Sequence, residues 1–276
     1  WLAGHLGLGL TGIAYGTTIA EWSTCALALC LAWQELRARH SPHTPFWPSE
    51  HLLSTREFFR TLQVNSDLMI RTLFMLGAFA WFTNQSALFG NNQLAANHVL
   101  LQLISFSAFF LDGFAFGAES LVGRAMGAKR LDAFDLAIRR SSTLAAGTAL
   151  LLSVCLLILG EFFISALTDK TAVQDLALEN LHYAAIYVLI SVLAFQLDGV
   201  FIGSSHSRAL RNSSILSFMG FYLACVLVQA QASNQGLWQA FIAYVGLRGL
   251  TLLIATPKLR RQLVRPIATP AYNNPP

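Results

Sequence analysis

The sequence predicts an all-α protein, a polytopic membrane bundle of about seven transmembrane helices. Two observations carry this prediction: 55% of the 276 residues are hydrophobic and only 12% are charged. A soluble domain usually has about 25% charged residues. The mean hydropathy of +0.53 also indicates a membrane protein. Nucleic-acid binding is not expected despite the net charge of +4, because the basic residues form no patch with interleaved aromatic residues.

Seven apolar stretches are long enough to cross a bilayer, whose hydrocarbon core of about 30 Å needs about 20 helical residues. They cover approximately residues 8–36, 66–90, 95–121, 138–166, 181–205, 213–232 and 236–257. Many contain Gly, Ser or Thr, the small residues that allow membrane helices to approach closely. The sequence therefore predicts a tightly packed helical bundle.

The gaps between these stretches alternate between basic and non-basic. Arg124, Lys129 and Arg130 follow the third stretch, for example, whereas the FGNNQLAAN gap before it has no charge. The positive-inside rule places the basic gaps and the C-terminus in the cytoplasm. With an odd number of spans, the N-terminus is then expected on the outer side.

We expect four segments along the chain. Residues 1–36 form one helix, and residues 37–63 form a cytoplasmic linker that contains prolines and an amphipathic helix lying on the membrane surface. Residues 64–261 form a six-helix lobe, and residues 262–276 form a disordered tail. The cysteines and histidines have no metal-ligand spacing, so no metal site is expected.

Charged residues inside the spans are the candidate functional residues, because each costs at least about 2.5–3.5 kcal/mol at a helix centre. Asp112 and Glu119, in FFLDGFAFGAE, lie two helical turns apart on one face. Asp198, in FQLDGVFIG, repeats the Asp-Gly pair on another helix that runs in the same direction. We expect the two helices to face one cavity, with four helix-packing glycines between them, Gly113, Gly117, Gly199 and Gly203.

A supporting polar network is expected around these acids, formed by Asn65, Asp67, Arg71 and Arg248. Asp67 and Arg71 have the i,i+4 spacing of a helical ion pair. Arg248 has no acidic neighbour on its own helix, so its partner should be Asp198 or Asp112. Glu21 is an isolated acid in the first span that would face the cavity. An acid in such a cavity can bind a cation when ionised and release it when protonated, which is the chemistry of antiport.

Four stretches resemble the MATE (multidrug and toxic compound extrusion) transporters, in their DinF-like branch. FFLDGFAFGAESLVGRAMGAKR is similar to the eighth helix of the family, and QLDGVFIGSSHSRALRNSS is similar to the tenth helix and its following loop. NSDLMIRTL and GLRGLTLL resemble the seventh and twelfth helices. The resemblance runs from about Gly7 to Arg261. It implies the sixth helix and the C-terminal lobe of a twelve-helix transporter, with the N-terminal helices outside this sequence.

The resemblance implies a multidrug efflux antiporter in the bacterial inner membrane, with no cofactor. It would export small cationic or amphipathic molecules in exchange for H⁺ or Na⁺, and it would have no nucleic-acid partner. Asp198 matches the tenth-helix acid of the family's C-lobe cation site, and Asp112 and Glu119 match acids of the DinF-like branch. The seventh-helix Glu of Na⁺-dependent members has no match, which disfavours a Na⁺ site.

Three alternatives remain open from the sequence. A lipid-linked sugar flippase would share the fold, but such cavities usually have more basic residues than Arg71 and Arg248. A truncated lobe would fold without transporting. An intramembrane aspartyl protease is disfavoured, because those enzymes present GxGD whereas this sequence has Asp before Gly. We therefore expect a transporter and not an enzyme.

Overall fold

A computed structural model describes residues 9–39, 55–228 and 233–264 of the chain. These residues form seven α-helices and no strand, which confirms the predicted fold class. The helices are α1 (Gly9–Arg39), α2 (Thr55–Ala87), α3 (Asn91–Gly127), α4 (Leu131–Leu167), α5 (Thr171–Gly203), α6 (Ser207–Val228) and α7 (Asn234–Val264). Five of them, α3 to α7, are long and apolar enough to cross a membrane.

The helices are longer than the apolar stretches that predict them. Helix α5 begins at Thr171, about ten residues before the predicted start of its span, and the polar QDLALEN segment is helical. Adjacent helices in α2 to α6 are therefore joined by three-residue turns, 88–90, 128–130, 168–170 and 204–206. Gly90, with φ of 96°, occupies the turn before α3, in backbone geometry that suits glycine.

The predicted linker, residues 37–63, is only partly within the described residues. Residues 40–54, including its prolines, lie outside the described residues, but the expected amphipathic helix is the first part of the continuous helix α2. The reason is that no helix-breaking residue separates Thr55 from the apolar part of the span, so one helix continues through both. The predicted tail begins in the last turn of α7, and residues 265–276 lie outside the description.

The chain divides into two compact units between Arg60 and Thr61. Helix α1 belongs to the first unit, and its side chains are almost all exposed. In the second unit α5 is the central helix, in contact with α3, α4, α6 and α7. Its burial agrees with this position: in the most apolar 18-residue stretch of each helix, 61% of α5 is buried, compared with 22% of α4.

Aromatic side chains fill the centre of the second unit. The centroid of the Phe82 ring of α2 lies 4.8 Å from that of the Trp238 ring of α7 and 4.6 Å from that of the Phe241 ring. Phe241 also stacks on Tyr187 of α5 at 4.8 Å and on Tyr244 at 5.9 Å. Such contacts between rings contribute about 0.5–1.5 kcal/mol each beyond their burial. The aromatic core therefore fixes α2, α5 and α7 relative to one another beside the charged residues described next.

Candidate transport site

Asp198 is the centre of a buried charge cluster. Its Oδ2 atom accepts hydrogen bonds from the Nη2 atoms of Arg71 on α2 and Arg248 on α7. The side chains of Asp198 and Arg248 are 6% and 5% exposed, and that of Arg71 is 16% exposed. Of the two predicted partners of Arg248, Asp198 is therefore the one that forms the ion pair. We call these three residues the Arg–Asp–Arg cluster.

The cluster has polar atoms that its own contacts do not use. Asp198 Oδ1, the Nε atoms of both arginines and the hydroxyl of Tyr244 are buried without a hydrogen-bond partner among the described residues. Most buried polar groups in proteins are hydrogen-bonded, so these atoms of the cluster and of the neighbouring Tyr244 can each take a further partner, such as a water molecule, without loss of the ion pairs.

Asp112 of α3 lies beside the Arg–Asp–Arg cluster but takes no part in its ion pairs. Its side chain is half-buried and interacts electrostatically with Asp198, Arg71 and Arg248. It forms no ion pair with any described residue. Two acids and two arginines from α2, α3, α5 and α7 thus meet at one level of the lobe.

The two helices that carry the acids pack directly against each other. A Cβ atom added at Gly199 of α5 would overlap the backbone of Ala115, and one added at Gly203 would lie 2.9 Å from the Cα atom of Glu119. These two glycines therefore let the helices meet backbone against backbone. Gly113 and Gly117 of α3 were expected to pack in the same way, but a Cβ atom added at either would meet nothing within 4 Å among the described residues. The α5 glycines meet the backbone of α3 at Ala115 and Glu119, and one α3 glycine, Gly123, also lies at this crossing, where an added Cβ atom would be 3.3 Å from the carbonyl oxygen of Gly203.

Glu119 lines a cavity of about 380 Å³ between α3 and the end of α5. Phe116, Ser120 and Arg124 share this cavity with Gly123 and Gly203. Glu119 is half-buried and forms no ion pair with a described residue, including Arg124. It lies two turns from Asp112 towards the basic loop that follows α3, a rise of about 10 Å.

The predicted helical pair between Asp67 and Arg71 does not form. Asp67 is 2% exposed and accepts hydrogen bonds from Arg211 Nη1 at 2.6 Å and from Ser207 Oγ at 2.8 Å. Ser207 is the first residue of α6, so the carboxylate lies at a helix N-terminus, where a negative charge is favoured. Each residue of the i,i+4 pair has a partner on another helix, because a buried charge is strongly unfavourable without a close counter-charge and the packing of the helices brings these partners nearest.

Two predicted site residues are exposed. Asn65 of α2 forms no hydrogen bond with a described residue. Glu21 is on α1, in the first compact unit, and its expected role in the cavity stays a prediction.

The sequence reasoning missed a buried amide network at the opposite end of the lobe. Asn97 Nδ2 donates to Ser86 Oγ at 2.9 Å and to Asn234 Oδ1 at 2.6 Å, and Trp238 Nε1 donates to Asn97 Oδ1 at 3.0 Å. Asn234 in turn donates to Asn180 Oδ1 at 3.0 Å. These residues, which we call the amide network, join α2, α3, α5 and α7. The signal in the sequence was three asparagines at or near the starts of three predicted spans.

The fold is that of a polytopic membrane protein with charged residues buried between its helices. The MatE family model matches residues 68–228, more than half of the chain. The chain therefore belongs to the MATE family, whose members are transporters and not enzymes, and the protease alternative is excluded.

Relatives agree with this assignment. The chain is 35% identical to the DNA damage-inducible protein F of Escherichia coli, over 91% of this chain and 54% of that protein. It is 23% identical to the mouse multidrug and toxin extrusion protein 2, over 90% of this chain and 43% of that protein. The structure superposes on the Vibrio cholerae MATE transporter VcmN in its bent form with a TM-score of 0.76 at 20% identity, covering 95% of this chain and 58% of that one. The chain thus spans about half the length of the relatives it matches.

Proposed function

We propose that the protein exports organic cations or amphipathic drugs by alternating access, in exchange for H⁺ or Na⁺. The observation that best supports this proposal is the Arg–Asp–Arg cluster. It is a buried carboxylate between two arginines from two other helices, with Asp112 beside it. Because the chain spans about half of its relatives' length, the proposed activity is that of the gene product with any sequence that precedes Trp1.

The cost of these charges supports a functional role. Charged groups inside a membrane cost at least about 2.5–3.5 kcal/mol each on insertion scales. A buried ion pair often stabilises a protein no better than apolar residues of similar volume would. Four charges at one level of the lobe are therefore more than the fold requires, and they fit a site where ions and substrates exchange.

The nature of the charges supports a cationic or amphipathic substrate. Asp112 offers an unpaired carboxylate to a positive group, and the aromatic rings of Tyr187 and Tyr244 lie near Arg248. Apolar walls with a few polar groups suit amphipathic ligands. We also propose the bacterial inner membrane as the location, in line with the E. coli relative, and a cytoplasmic C-terminus.

An efflux assay tests the proposal. A bacterial strain that lacks its own drug pumps expresses the gene product as wild type, as Asp112→Asn or as Asp198→Asn. We expect both variants to lose resistance to lipophilic cations at normal expression. Asp132→Asn, which neutralises an acid that is 70% exposed, is the matched control and should keep resistance.

A second measurement assigns the coupling ion. Proteoliposomes are given either a proton gradient or a Na⁺ gradient, and efflux of a fluorescent cation is followed. Transport driven by either gradient supports the proposal and identifies the ion. Wild-type efflux by both Asp variants, or no response to either gradient, would contradict it.

A further inference from the structure

The two acids near the cluster differ in how firmly they are held. Both arginines donate to the same oxygen of Asp198, which is almost fully buried. Asp112 is half-buried and has no ion-pair partner among the described residues. The carboxylate of Asp198 is held by two ion pairs, whereas that of Asp112 can bind and release a proton or a cation.

Neutralising Asp198 would remove the carboxylate that forms ion pairs with both guanidinium groups and leave only Asp112, which forms no ion pair with either, as a nearby negative charge. Arg248 is 4% exposed, and its only acidic partner within the described residues is Asp198. Removing one partner of a buried ion pair is strongly unfavourable, because the remaining charge has neither water nor a counter-ion. Asp198 is therefore poorly suited to take up a proton during each transport cycle.

Asp112 has no such constraint. The charged groups that act on it are Arg71 of α2, Asp198 of α5 and Arg248 of α7, with Glu119 two turns away on its own helix. With Asp112 ionised, the charges of Asp112 and the cluster sum to zero; with Asp112 protonated, they sum to +1. Either state leaves the ion pairs of Asp198 intact.

We propose that Asp112 is the carboxylate that exchanges a proton for a cationic substrate, while Asp198 remains the fixed counter-ion of Arg71 and Arg248. A proton binds a carboxylate oxygen of Asp112, and the Arg–Asp–Arg cluster, which has a net charge of +1, then repels the bound cation, which leaves. When the proton departs, the ionised carboxylate can bind the next cation. The exchange role rests on the proposed transport function, but the difference in protonation between the two acids does not.

Carboxyl labelling tests this difference without any transport. Dicyclohexylcarbodiimide reacts with protonated carboxylic acids in apolar surroundings and leaves a stable adduct. The purified gene product in detergent is treated with the reagent at several pH values, and its peptides are analysed by mass spectrometry. We expect the adduct on Asp112 and not on Asp198, with less labelling as the pH rises.

Competition and variants complete the test. Tetraphenylphosphonium, a lipophilic cation, should lower the labelling of Asp112. Asp132→Asn, which changes an exposed acid outside the site, should leave that labelling in place, and Asp112→Asn should abolish it. An adduct on Asp198 instead of Asp112, or no adduct on Asp112 at any pH, would overturn the assignment. Since labelling is read on wild-type protein, the result does not depend on the folding of any variant. Labelling of Asp112 in a protein that fails to export drugs would refute the transport function and leave the assignment standing.

Discussion

At the scale of single residues, the partner of a buried charge decides what that charge can do. Asp67 and Asp198 are both almost fully buried acids that pair with arginine, but they connect different helices. Asp67 joins α2 to the start of α6 through Ser207 and Arg211. Asp198 instead joins α2 to α7 beside the acid proposed to exchange a proton.

Asp198→Asn should destabilise the lobe. The substitution removes the counter-charge of two arginines, and breaking a buried ion pair in this way costs about 3–5 kcal/mol. Thermal unfolding of the purified protein in detergent measures the effect. Asp132→Asn changes the same chemistry at an exposed position and should leave the unfolding temperature nearly unchanged. Equal unfolding temperatures for the two variants would contradict the role given to Asp198.

The sequence identified the charged residues of this site but only part of their pairing. A charge inside an apolar span stands out, so Asp112, Asp198, Arg71 and Arg248 could all be predicted from the sequence. Their partners depend on how helices distant in sequence pack together. The i,i+4 rule therefore suggested Asp67 for Arg71, whereas the partner lies 127 residues further along the chain.

At the scale of helices, the pair α3 and α5 is the closest approach in the site. Gly199 and Gly203 bring the backbone of α5 against Ala115 and Glu119 of α3, with no layer of side chains between them. Small residues permit such contacts in membrane proteins, where packing replaces the hydrophobic effect as the driving force for association. The contact sets the distance between the two Asp-Gly pairs.

Gly199→Ala should separate these helices. The added methyl group meets backbone, which cannot rotate away, and overpacking of this kind typically costs about 1–3 kcal/mol. Gly113→Ala adds the same methyl group into open space on α3 and should cause no loss of stability. Thermal unfolding of the two variants in detergent compares them directly. If Gly113→Ala proves as harmful as Gly199→Ala, the interface assigned to α5 is wrong.

Glycine content alone could not reveal which helix supplies the contact. All four glycines follow an acid within the same repeated phrase, and the pattern is equally compatible with either helix face. Helix type was easier to predict, because long apolar stretches in a membrane have few alternatives to a helix. The predicted helices were too short, because polar residues outside the hydrocarbon region continue the same helices.

At the scale of the whole molecule, the distribution of basic residues predicts how the lobe lies in the membrane. The turn 128–130 contains Lys129 and Arg130, and Arg208 and Arg211 begin α6. The turn 88–90, at the other end of α3, has no charge. The positive-inside rule therefore predicts a cytoplasmic location for the basic end and the C-terminus.

Reporter fusions test this orientation. Green fluorescent protein joined to the C-terminus should fluoresce in bacteria, because it folds in the cytoplasm. Alkaline phosphatase joined after Gly90 should be active, because it needs the oxidising periplasm. Fusion of the phosphatase after Arg130 is the control and should be inactive. The opposite set of activities would show that the lobe is inverted in the membrane.

The amide network has a consequence for how ion gradients can act on the lobe. Asparagine, serine and tryptophan side chains do not titrate near neutral pH, so the network itself contains no group that a proton could switch. Their hydrogen bonds connect four helices into one block. If Asp112 exchanges a proton as proposed, we expect the resulting motion to pivot about this block and to be largest at the opposite, basic end of the bundle.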